Sequence, residues 1–393
     1  MTWSIVVTDG EQRSALATVR SLGRAGHQVH VCGSAPRSLA AASRFAISET
    51  TVPDALTDPE GFVTALRSVV SSVKADVLLP MSEAALLAVL PNRARLPTLV
   101  PFASAERFEQ ICDKSAVLRA AEILGIDVPA QRIWHSRDDS DTIRNLPYPV
   151  VLKPSRSVVG EKNARMKTRV GYAEDARQLE IALAMLPDAA FPVMCQQRIE
   201  GPGTAISVLL WDDEVKAAFA HRRLREKPPS GGVSVLRESI ALDEHMLAKS
   251  IALLNQFDWN GVAMVEYKVD ARTGRSYLME VNGRFWGSLQ LAIDAGVNFP
   301  QLLVACAMGH PGVPHLHYPI GVRTRWEWGD VDHLLARLLH SPSELSLPAN
   351  SPGVAESLTA FLKSFASDIH SEVFSRDDIT PFLRETRNWL RGR

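Results

Sequence analysis

The sequence predicts an α/β (α+β) protein that begins with an open parallel sheet and continues with mixed sheets and helices. Apolar strand patterns alternate with amphipathic helix patterns over the first hundred residues, as in the βαβ units that build parallel sheets. Later in the chain, two β-rich runs over 262–270 and 275–281 flank the turn Ala-Arg-Thr-Gly, which predicts an antiparallel hairpin. These two patterns indicate a parallel part followed by a mixed part.

The parallel part is predicted element by element. The expected order is a strand over 4–8, a helix from about 13 to 25, a strand over 28–32, a helix over 59–73, a strand over 75–79, a helix over 83–90 and a short strand over 98–101. Gly26 stops the first helix. The GxGxxG fingerprint is absent, so the sequence does not favour dinucleotide binding.

The mixed part is read in the same way. It has a helix over 105–124, a strand over 149–153, a flexible segment over 155–164, a helix over 173–186, strands over 193–199 and 205–211, a loop over 225–233, a helix over 243–257, the hairpin and a helical stretch over 289–308. The tail from about residue 310 is predicted to contain two or three amphipathic helices, one over 331–339.

Composition and charge limit the functional classes. The 393 residues are enough for two or three domains, and 43 Lys+Arg nearly balance 44 Asp+Glu, which gives no support to a nucleic-acid or polybasic membrane surface. The four cysteines form no CxxC pair, and the N-terminus lacks a signal-peptide pattern. We therefore expect reduced thiols and a cytoplasmic protein.

The hairpin carries the most informative residues. If its turn centres near Thr273, Glu266 and Glu280 lie opposite each other on paired strands, and Glu280, Asn282 and Arg284 share one face. Two facing carboxylates repel, and a divalent cation reverses that effect. Two carboxylates and an amide oxygen suit Mg²⁺, which usually shares its shell with substrate phosphates. The alternative is a solvated hairpin whose carboxylates face water.

Several basic residues have positions that suit phosphate binding. Lys153 ends the apolar strand VVLKP, and the segment from Ser155 to Gly160 can fold over a phosphate chain. Lys114 begins an amphipathic helix after Asp113, a plausible N-cap. Each lysine taken alone is more often a structural or solvent-facing residue than a phosphate ligand. The cations of 222–225 beside a Gly-Gly turn suit carboxylate or phosphate groups, or form a solvated loop.

Other motifs carry less information. His315 and His317 share a strand face, but a third ligand is not identifiable, which favours ordinary polar histidines over a metal site. A nucleophile elbow of the GxSxG type is absent, and no cysteine lies in a recognisable catalytic context.

The order of these features resembles the ATP-grasp superfamily over about residues 1–310. Within it, the strings LMEVNGRFWGSLQLAIDAGVNFP and LREKPPSGGVSV are similar to carboxylate–amine ligases and to the synthetase domains of carbamoyl-phosphate synthase. The resemblance implies a pre-ATP-grasp domain over 1–104, a small lid subdomain over 105–190, a large subdomain with the Mg·ATP site over 191–310 and a mostly helical extension over 311–393.

The resemblance also implies roles for individual residues. Arg284 would lie near the γ-phosphate and the acyl-phosphate, together with Lys153 and Arg225 as catalytic groups. The implied nucleotide contacts are Lys114, Lys153, Ser155, Gly160, Gln196, Gln197 and Ile199, and the implied Mg²⁺ ligands are Glu266, Glu280 and Asn282, with Mn²⁺ as a substitute. Gln196 departs from the usual Glu at the adenine hinge. The 155–164 and 225–233 loops would close over the site.

The activity implied by the resemblance is ATP-dependent and ADP-forming. A carboxylate, from an amino acid or another small acid, would be phosphorylated and then joined to an amine. The alternatives are a carbamoyl-phosphate-synthase-like enzyme that activates bicarbonate and a non-catalytic ATP-binding protein. The expected partners are small-molecule substrates, with neither nucleic acid nor membrane. The resemblance also implies a homodimer, because related proteins commonly form one.

Overall fold

The N-terminal part of the protein is an open parallel sheet. The structure of the protein is a computed structural model, and it describes every residue of the chain except 138, 140–145, 161–164, 169, 349–350, 366–367 and 393. The strand order is β3-β2-β1-β4, and all neighbours are parallel. The elements are β1 (Ser4–Val7), α1 (Arg13–Arg24), β2 (Gln28–Gly33), β3 (Ala46–Thr51), α2 (Pro59–Ser72), β4 (Val77–Leu79) and α3 (Glu83–Val89).

Local chemistry explains where these elements begin and why the sheet is buried. Asp58 accepts the N–H of Gly61 at the start of α2, and Ser82 accepts that of Ala85 at the start of α3. Both are side-chain N-caps, which satisfy backbone donors that a helix leaves unpaired. The middle of β1 and all of β4 are inaccessible to solvent, because helices cover a parallel sheet on its faces. The predicted parallel α/β domain is confirmed.

A smaller antiparallel sheet follows, with strand order β5-β10-β6-β9. Its helix α6 packs on it around a separate small core that includes Leu152, Leu179 and Val193. Two short strands, β7 and β8, form a ribbon beside it. The elements are α4 (Ala105–Cys112), α5 (Lys114–Ile123), β5 (Gln131–Trp134), β6 (Val150–Pro154), β7 (Val158–Val159), β8 (Met166–Lys167), β9 (Gly171–Ala173), α6 (Ala176–Ala184) and β10 (Val193–Gln197).

The largest sheet holds the hairpin and has the order β15-β14-β11-β12-β13-β16-β17. Its interior strand β11 is buried along almost its whole length, since α7 and α9 cover it. The elements up to the tail are β11 (Gly203–Trp211), β12 (Glu214–Lys227), β13 (Val233–Ser239), α7 (Glu244–Asn255), β14 (Gly261–Val269), β15 (Ser276–Asn282), α8 (Leu289–Asp294) and α9 (Phe299–Ala307).

The tail contributes strands as well as helices. It contains β16 (Arg323–Arg325), α10 (Glu327–Leu339), α11 (Val354–Lys363), β17 (Ile369–Ser371) and α12 (Thr380–Arg391). The strand β16 pairs with β13, and β17 pairs with β16 in parallel, so the tail extends the largest sheet by two strands. Among the described residues, no helix combines the length and apolar character needed to cross a bilayer.

The structure corrects several sequence-based expectations. The helix over 105–124 is divided in two at Asp113, because the Asp113 carboxylate accepts the N–H groups of Ser115 and Ala116 and starts a new helix there. The strand over 98–101 is reduced to one bridge between Val77 and Leu99. The strand β3 was not predicted, because it is largely exposed and has no apolar run. Residues 225–227 of the predicted loop belong to β12.

Candidate functional site

The two hairpin carboxylates lie opposite each other, as the sequence predicts. Glu266 on β14 is paired with Glu280 on β15. The turn fixes this register, because Asp270 Oδ1 accepts the N–H groups of Arg272 (3.0 Å) and Thr273 (2.7 Å) and Gly274 adopts a positive φ of 71°. The ladder shifts its register directly after Glu266, which is a β-bulge of the kind often found beside functional sites.

Asn282 and Arg284 continue this cluster along the same strand. The Asn282 amide nitrogen donates to Glu266 Oε1 (2.9 Å) and to Glu280 Oε1 (3.2 Å), so it bridges both carboxylates. Arg284 Nη2 donates to Asn282 Oδ1 at 2.8 Å, and its Nη1 donates to the Phe285 carbonyl. The structure therefore brings all four predicted hairpin residues together.

Lys114 and Lys153 approach the carboxylates from other elements. Lys114 Nζ, at the start of α5, lies 3.6 Å from Glu280 Oε2 and donates to Ser157 Oγ at 2.7 Å. Burial on its own raises the pKa of Glu280, but Lys114 and Lys153 outweigh it and hold that pKa below its ordinary value. Lys153 ends β6, and burial lowers the pKa of its ammonium to about 8 in spite of the attraction of Glu280.

Arg223 on β12 is a member of the site that the sequence analysis did not select. Its Nη2 forms an ion pair with Glu266 Oε2, and its Nη1 lies 2.9 Å from Glu226 Oε1. Burial raises the pKa of Glu266 above its ordinary value, although Arg223 opposes this effect. The cation run over 222–225 marked this region, but strand alternation together with the bulge on β12 decides which arginine faces the carboxylates.

Arg225, the predicted catalytic arginine of this run, is directed elsewhere. Its guanidinium holds Asp330 of α10 through Nε (2.6 Å) and Nη2 (2.7 Å), and it also contacts Ala360 and Ser364 at the end of α11. The register of β12 shifts on both sides of Arg225. This residue therefore anchors the tail and does not join the carboxylate cluster.

The predicted adenine hinge lies on β10 and just after it. Gln196 is buried and donates from Nε2 to Gln131 Oε1 at 2.9 Å, so its side chain already has a partner on β5. The N–H of Gln197 donates to the carbonyl of Ala130 at 2.8 Å. The carbonyl of Ile199 accepts from Lys268 Nζ at 3.3 Å, and Lys268 lies on β14 two residues beyond Glu266.

The segment from Ser155 to Gly160 connects these groups. The buried Ser155 accepts the N–H of Lys114 on its carbonyl oxygen at 2.9 Å, which joins the end of β6 to the start of α5. Gly160 is exposed and has a φ of 92°, directly after β7. The rest of the predicted loop, 161–164, lies outside the described residues.

A cavity of about 340 Å³ opens beside the carboxylates. One side carries the cluster itself, and the other side is formed by β13 and by the segment before α8. Its lining residues are Arg223, Gly232, Val233, Ser234, Met264, Glu266, Glu280, Asn282, Arg284, Trp286, Gly287 and Ser288. Charged groups of both signs thus surround a space large enough for a small organic acid.

Glu83 is a further carboxylate that the sequence did not indicate. It is the first residue of α3 in the N-terminal sheet domain, and it accepts the N–H of Val158. Burial raises its pKa, while Arg284 and Lys114 oppose that shift. The N-terminal domain therefore contributes an acidic side chain to the electrostatic environment of the hairpin residues.

The donor set fits a hard divalent cation bound together with phosphates. Within the described part of the chain, no group of three or more His, Cys, Asp or Glu side chains is arranged to hold a metal ion by itself. Two facing carboxylates and one amide are present instead, with Lys114, Lys153, Arg223 and Arg284 around them. Such an incomplete shell is compatible with Mg²⁺, which commonly takes its remaining oxygens from substrate phosphates.

The central part of the chain matches one protein-family model. Residues 190–327 match the model described as "ATP-grasp in the biosynthetic pathway with Ter operon". That segment contains Gln196, Arg223 and all four hairpin residues of the cluster. A sequence comparison with curated proteins gives no match.

Solved structures of similar fold come from several enzymes. The structure of L-amino acid ligase from Bacillus licheniformis is 19% identical, with a TM-score of 0.61 over 78% of this chain and 74% of that one. N5-carboxyaminoimidazole synthetase from Staphylococcus aureus, complexed with ADP, is 14% identical, with a TM-score of 0.61 over 82% and 80%. The biotin carboxylase domain of 2-oxoglutarate carboxylase from Hydrogenobacter thermophilus, in complex with MgADP and bicarbonate, is 12% identical, with a TM-score of 0.64 over 82% and 74%.

Proposed function

We propose that this chain, an ATP-grasp protein by its fold and by the family signature of residues 190–327, is an ATP-dependent, ADP-forming carboxylate–amine ligase. The observation that carries the proposal is the Glu266–Glu280 pair, bridged by Asn282 and surrounded by basic side chains. Partly buried like charges of this kind destabilise a sheet unless cations compensate them, and such clusters of charged groups often mark functional sites.

The nucleotide would lie between the small sheet and the largest sheet. Lys153 and Lys114 would hold the phosphates, Gln196 and the backbone at Gln197 and Ile199 would border the base, and Ser155 and Gly160 would belong to the covering segment. Glu266, Glu280 and Asn282 would hold Mg²⁺, which supplies charge neutralisation between the phosphates. Asn282 now presents its nitrogen to both carboxylates, so ligation through Oδ1 requires its amide to turn over.

The reaction has two steps. An oxygen of the substrate carboxylate attacks the γ-phosphorus, the bond from that phosphorus to the β,γ-bridging oxygen breaks, and ADP leaves while an acyl-phosphate forms. The amine nitrogen then attacks the acyl carbon, inorganic phosphate departs with the bonding electron pair, and the nitrogen releases its proton. Arg284 would orient the acid beside the γ-phosphate, and fixed cations would stabilise the charge that develops.

The cavity beside the cluster is our proposed acid site. Its volume of about 340 Å³ fits an amino acid or a similar small acid, and its wall of Met264, Trp286 and Ser288 would surround the side chain of that acid. The domain boundaries near residues 104, 190 and 310, the cytoplasmic location and a homodimer remain predictions.

Nucleotide turnover tests this function. We expect purified protein with Mg·ATP, pooled amino acids and small carboxylates, and hydroxylamine to release ADP and to form a hydroxamate from the acyl-phosphate. Turnover that depends on bicarbonate would favour the carbamoyl-phosphate-synthase-like alternative, and ATP binding without turnover over a broad pool would favour a binding protein. Release of AMP would contradict the proposal.

Substitution of Glu280 is the matching site test. We expect Glu280→Gln to reduce ADP release by a factor of at least about 100, because the variant loses one of the two carboxylates in a site that works by electrostatic stabilisation. Glu244→Gln is the control, since Glu244 lies exposed in the first turn of α7. Full activity of Glu280→Gln with an unchanged melting temperature would show that the site is wrongly assigned.

A further inference from the structure

We propose that Arg223 is a displaceable counter-ion: it pairs with Glu266 when no ligand is bound and releases that carboxylate when Mg²⁺ and nucleotide bind, which couples the metal site to the loop after β12. The inference rests on the proposed function, because it concerns occupancy of the same site. It assigns a positioning role to a residue of the largest sheet.

The contacts of Arg223 connect the site to this loop. Its Nη2 is ion-paired with Glu266 Oε2, while its Nη1 lies 2.9 Å from Glu226 Oε1 and donates to the carbonyl of Gly232 at 3.2 Å. Glu226 lies just before the segment that connects β12 to β13, and Gly232 is the last residue of that segment. A single guanidinium therefore joins a proposed metal ligand to both ends of the loop.

The same contacts engage both oxygens of the Glu266 carboxylate. Its Oε2 is held by Arg223, and its Oε1 accepts from Asn282 Nδ2 at 2.9 Å. A cation that enters between Glu266 and Glu280 would share these oxygens with the two donors and would lie beside the positive guanidinium. Like charges in a partly buried site repel strongly, so metal binding and the Arg223–Glu266 pair oppose each other.

The surroundings of Arg223 allow it to move. Glu226 offers a second carboxylate that already contacts the guanidinium, so leaving Glu266 does not strand a buried charge. The buried Nε of Arg223 has no hydrogen-bond partner among the described residues, so the present position leaves one donor unsatisfied. The side chain crosses Gly203 on β11, where a Cβ would lie 2.9 Å from Arg223 Cδ.

Competition for Glu266 has two consequences. In the absence of nucleotide, Arg223 keeps the affinity of the site for a free divalent ion low. When the ion arrives with its nucleotide, Arg223 leaves Glu266, and its contacts with Glu226 and Gly232 change with it. The loop after β12 thereby responds to a loaded site.

Metal binding without nucleotide tests the competition directly. Free Mn²⁺ is titrated into the full chain and measured by electron paramagnetic resonance, with Arg223→Gln compared with wild type. We expect Arg223→Gln to bind Mn²⁺ at least about tenfold more tightly, which corresponds to a difference of about 1.4 kcal/mol. Arg222→Gln is the matched control, because Arg222 is the adjacent residue, is half exposed and is paired with Glu238 instead.

A second variant keeps the charge of Arg223 and changes its position. Gly203→Ala places a methyl group against the Arg223 side chain, and we expect it to tighten Mn²⁺ binding in the same direction as Arg223→Gln. This variant guards against loss of folding in Arg223→Gln, since the two substitutions disturb different strands. Both variants are first checked for a wild-type circular dichroism spectrum.

Hydrogen exchange of the segment over 226–235 tests the coupling to the loop. In wild type, Mn²⁺ with a non-hydrolysable ATP analogue is expected to change exchange in this segment, and Arg223→Gln is expected to show little further change. Suppose that wild type binds Mn²⁺ with nucleotide but that neither Arg223→Gln nor Gly203→Ala changes the affinity for free Mn²⁺. This result would overturn the inference and leave the proposed metal site in place. Failure of wild type to bind Mn²⁺ with nucleotide would overturn the proposed metal site as well.

Discussion

At the scale of single residues, Lys153 shows how burial changes the charge of a side chain that we propose to bind phosphates. Its position at the end of β6 partly buries the side chain, and this desolvation lowers its pKa to about 8 in spite of Glu280. A lysine with such a pKa is only partly charged just above neutral pH. Anionic phosphates beside it would raise its pKa again, so binding of a nucleotide and uptake of a proton are linked.

This linkage predicts a pH dependence of nucleotide binding. Well below a pH of about 8, Lys153 already carries its proton, and the Kd of Mg·ATP should be nearly independent of pH on this account. Above that pH the free protein loses the proton that the complex needs, so the Kd should rise towards tenfold per pH unit. Isothermal titration calorimetry between pH 7.5 and about 9.5, in buffers of different ionisation enthalpy, measures both the Kd and the proton uptake.

The control for this prediction is Lys153→Arg. An arginine stays protonated over the whole range, so its Kd should lose the rise above pH 8 even if its absolute affinity is lower. Equal slopes in the two proteins would show that a different group binds the proton.

At the scale of elements, close packing at the end of the β14–β15 hairpin positions the residues of the proposed site. Gly283 lies between Asn282 and Arg284, and a Cβ there would approach the Trp259 ring to 2.4 Å. Trp259 is almost fully buried and packs against Phe108 of α4. The absence of a side chain at Gly283 thus lets the hairpin end approach the ring that supports it.

Gly283→Ala should therefore disturb both stability and the site. We expect a loss of about 1–3 kcal/mol in the free energy of unfolding, because the added methyl group overpacks a buried contact and the Trp259 ring or the strand must shift. Gly287→Ala is the control: its Cβ would meet only Arg13 Nη2, at 3.6 Å, so its unfolding free energy should change little. Urea denaturation of both variants checks this, and equal stabilities would contradict the packing argument.

At the scale of the whole molecule, contacts of the tail hold the N-terminal domain against the rest of the protein. The buried Asp378, just before α12, accepts from Arg20 Nε of α1 at 2.8 Å, from Ser43 Oγ at 2.6 Å and from the N–H of Arg44 at 2.9 Å. Glu372 similarly contacts Arg13 of α1 and Arg237 of β13. Buried charges held in this way make the tail part of the folded unit.

Removal of the Asp378 carboxylate should be costly. Asp378→Ala leaves the buried Arg20 guanidinium without its charge partner, and we expect the unfolding free energy to fall by about 3–5 kcal/mol. The adjacent Asp377 is half exposed and pairs with Arg24 on the surface, so Asp377→Ala should cost less than about 1 kcal/mol. Chemical denaturation of the two variants measures the difference, and similar losses would exclude a special role for the buried contact.

Local patterns in the sequence predict much of the fold and most of the cluster. The βαβ rhythm indicates the parallel sheet, and a turn with Asp270 and Gly274 fixes the register that sets Glu266 opposite Glu280. Period-two alternation then assigns Asn282 and Arg284 to the same neighbourhood. These features depend on residues close together in the chain, and for that reason they can be read without knowledge of the tertiary structure.

The tertiary structure alone decides which distant side chains join that cluster. Arg223 and Arg225 are two residues apart in one basic run, yet the first pairs with Glu266 and the second with Asp330 of the tail. The bulges on β12 and the packing of α10 separate them, and neither leaves a signal in the local sequence. The sequence by itself thus determined the carboxylate hairpin, because its geometry is local, whereas long-range packing decided which cations and which N-terminal residues meet it.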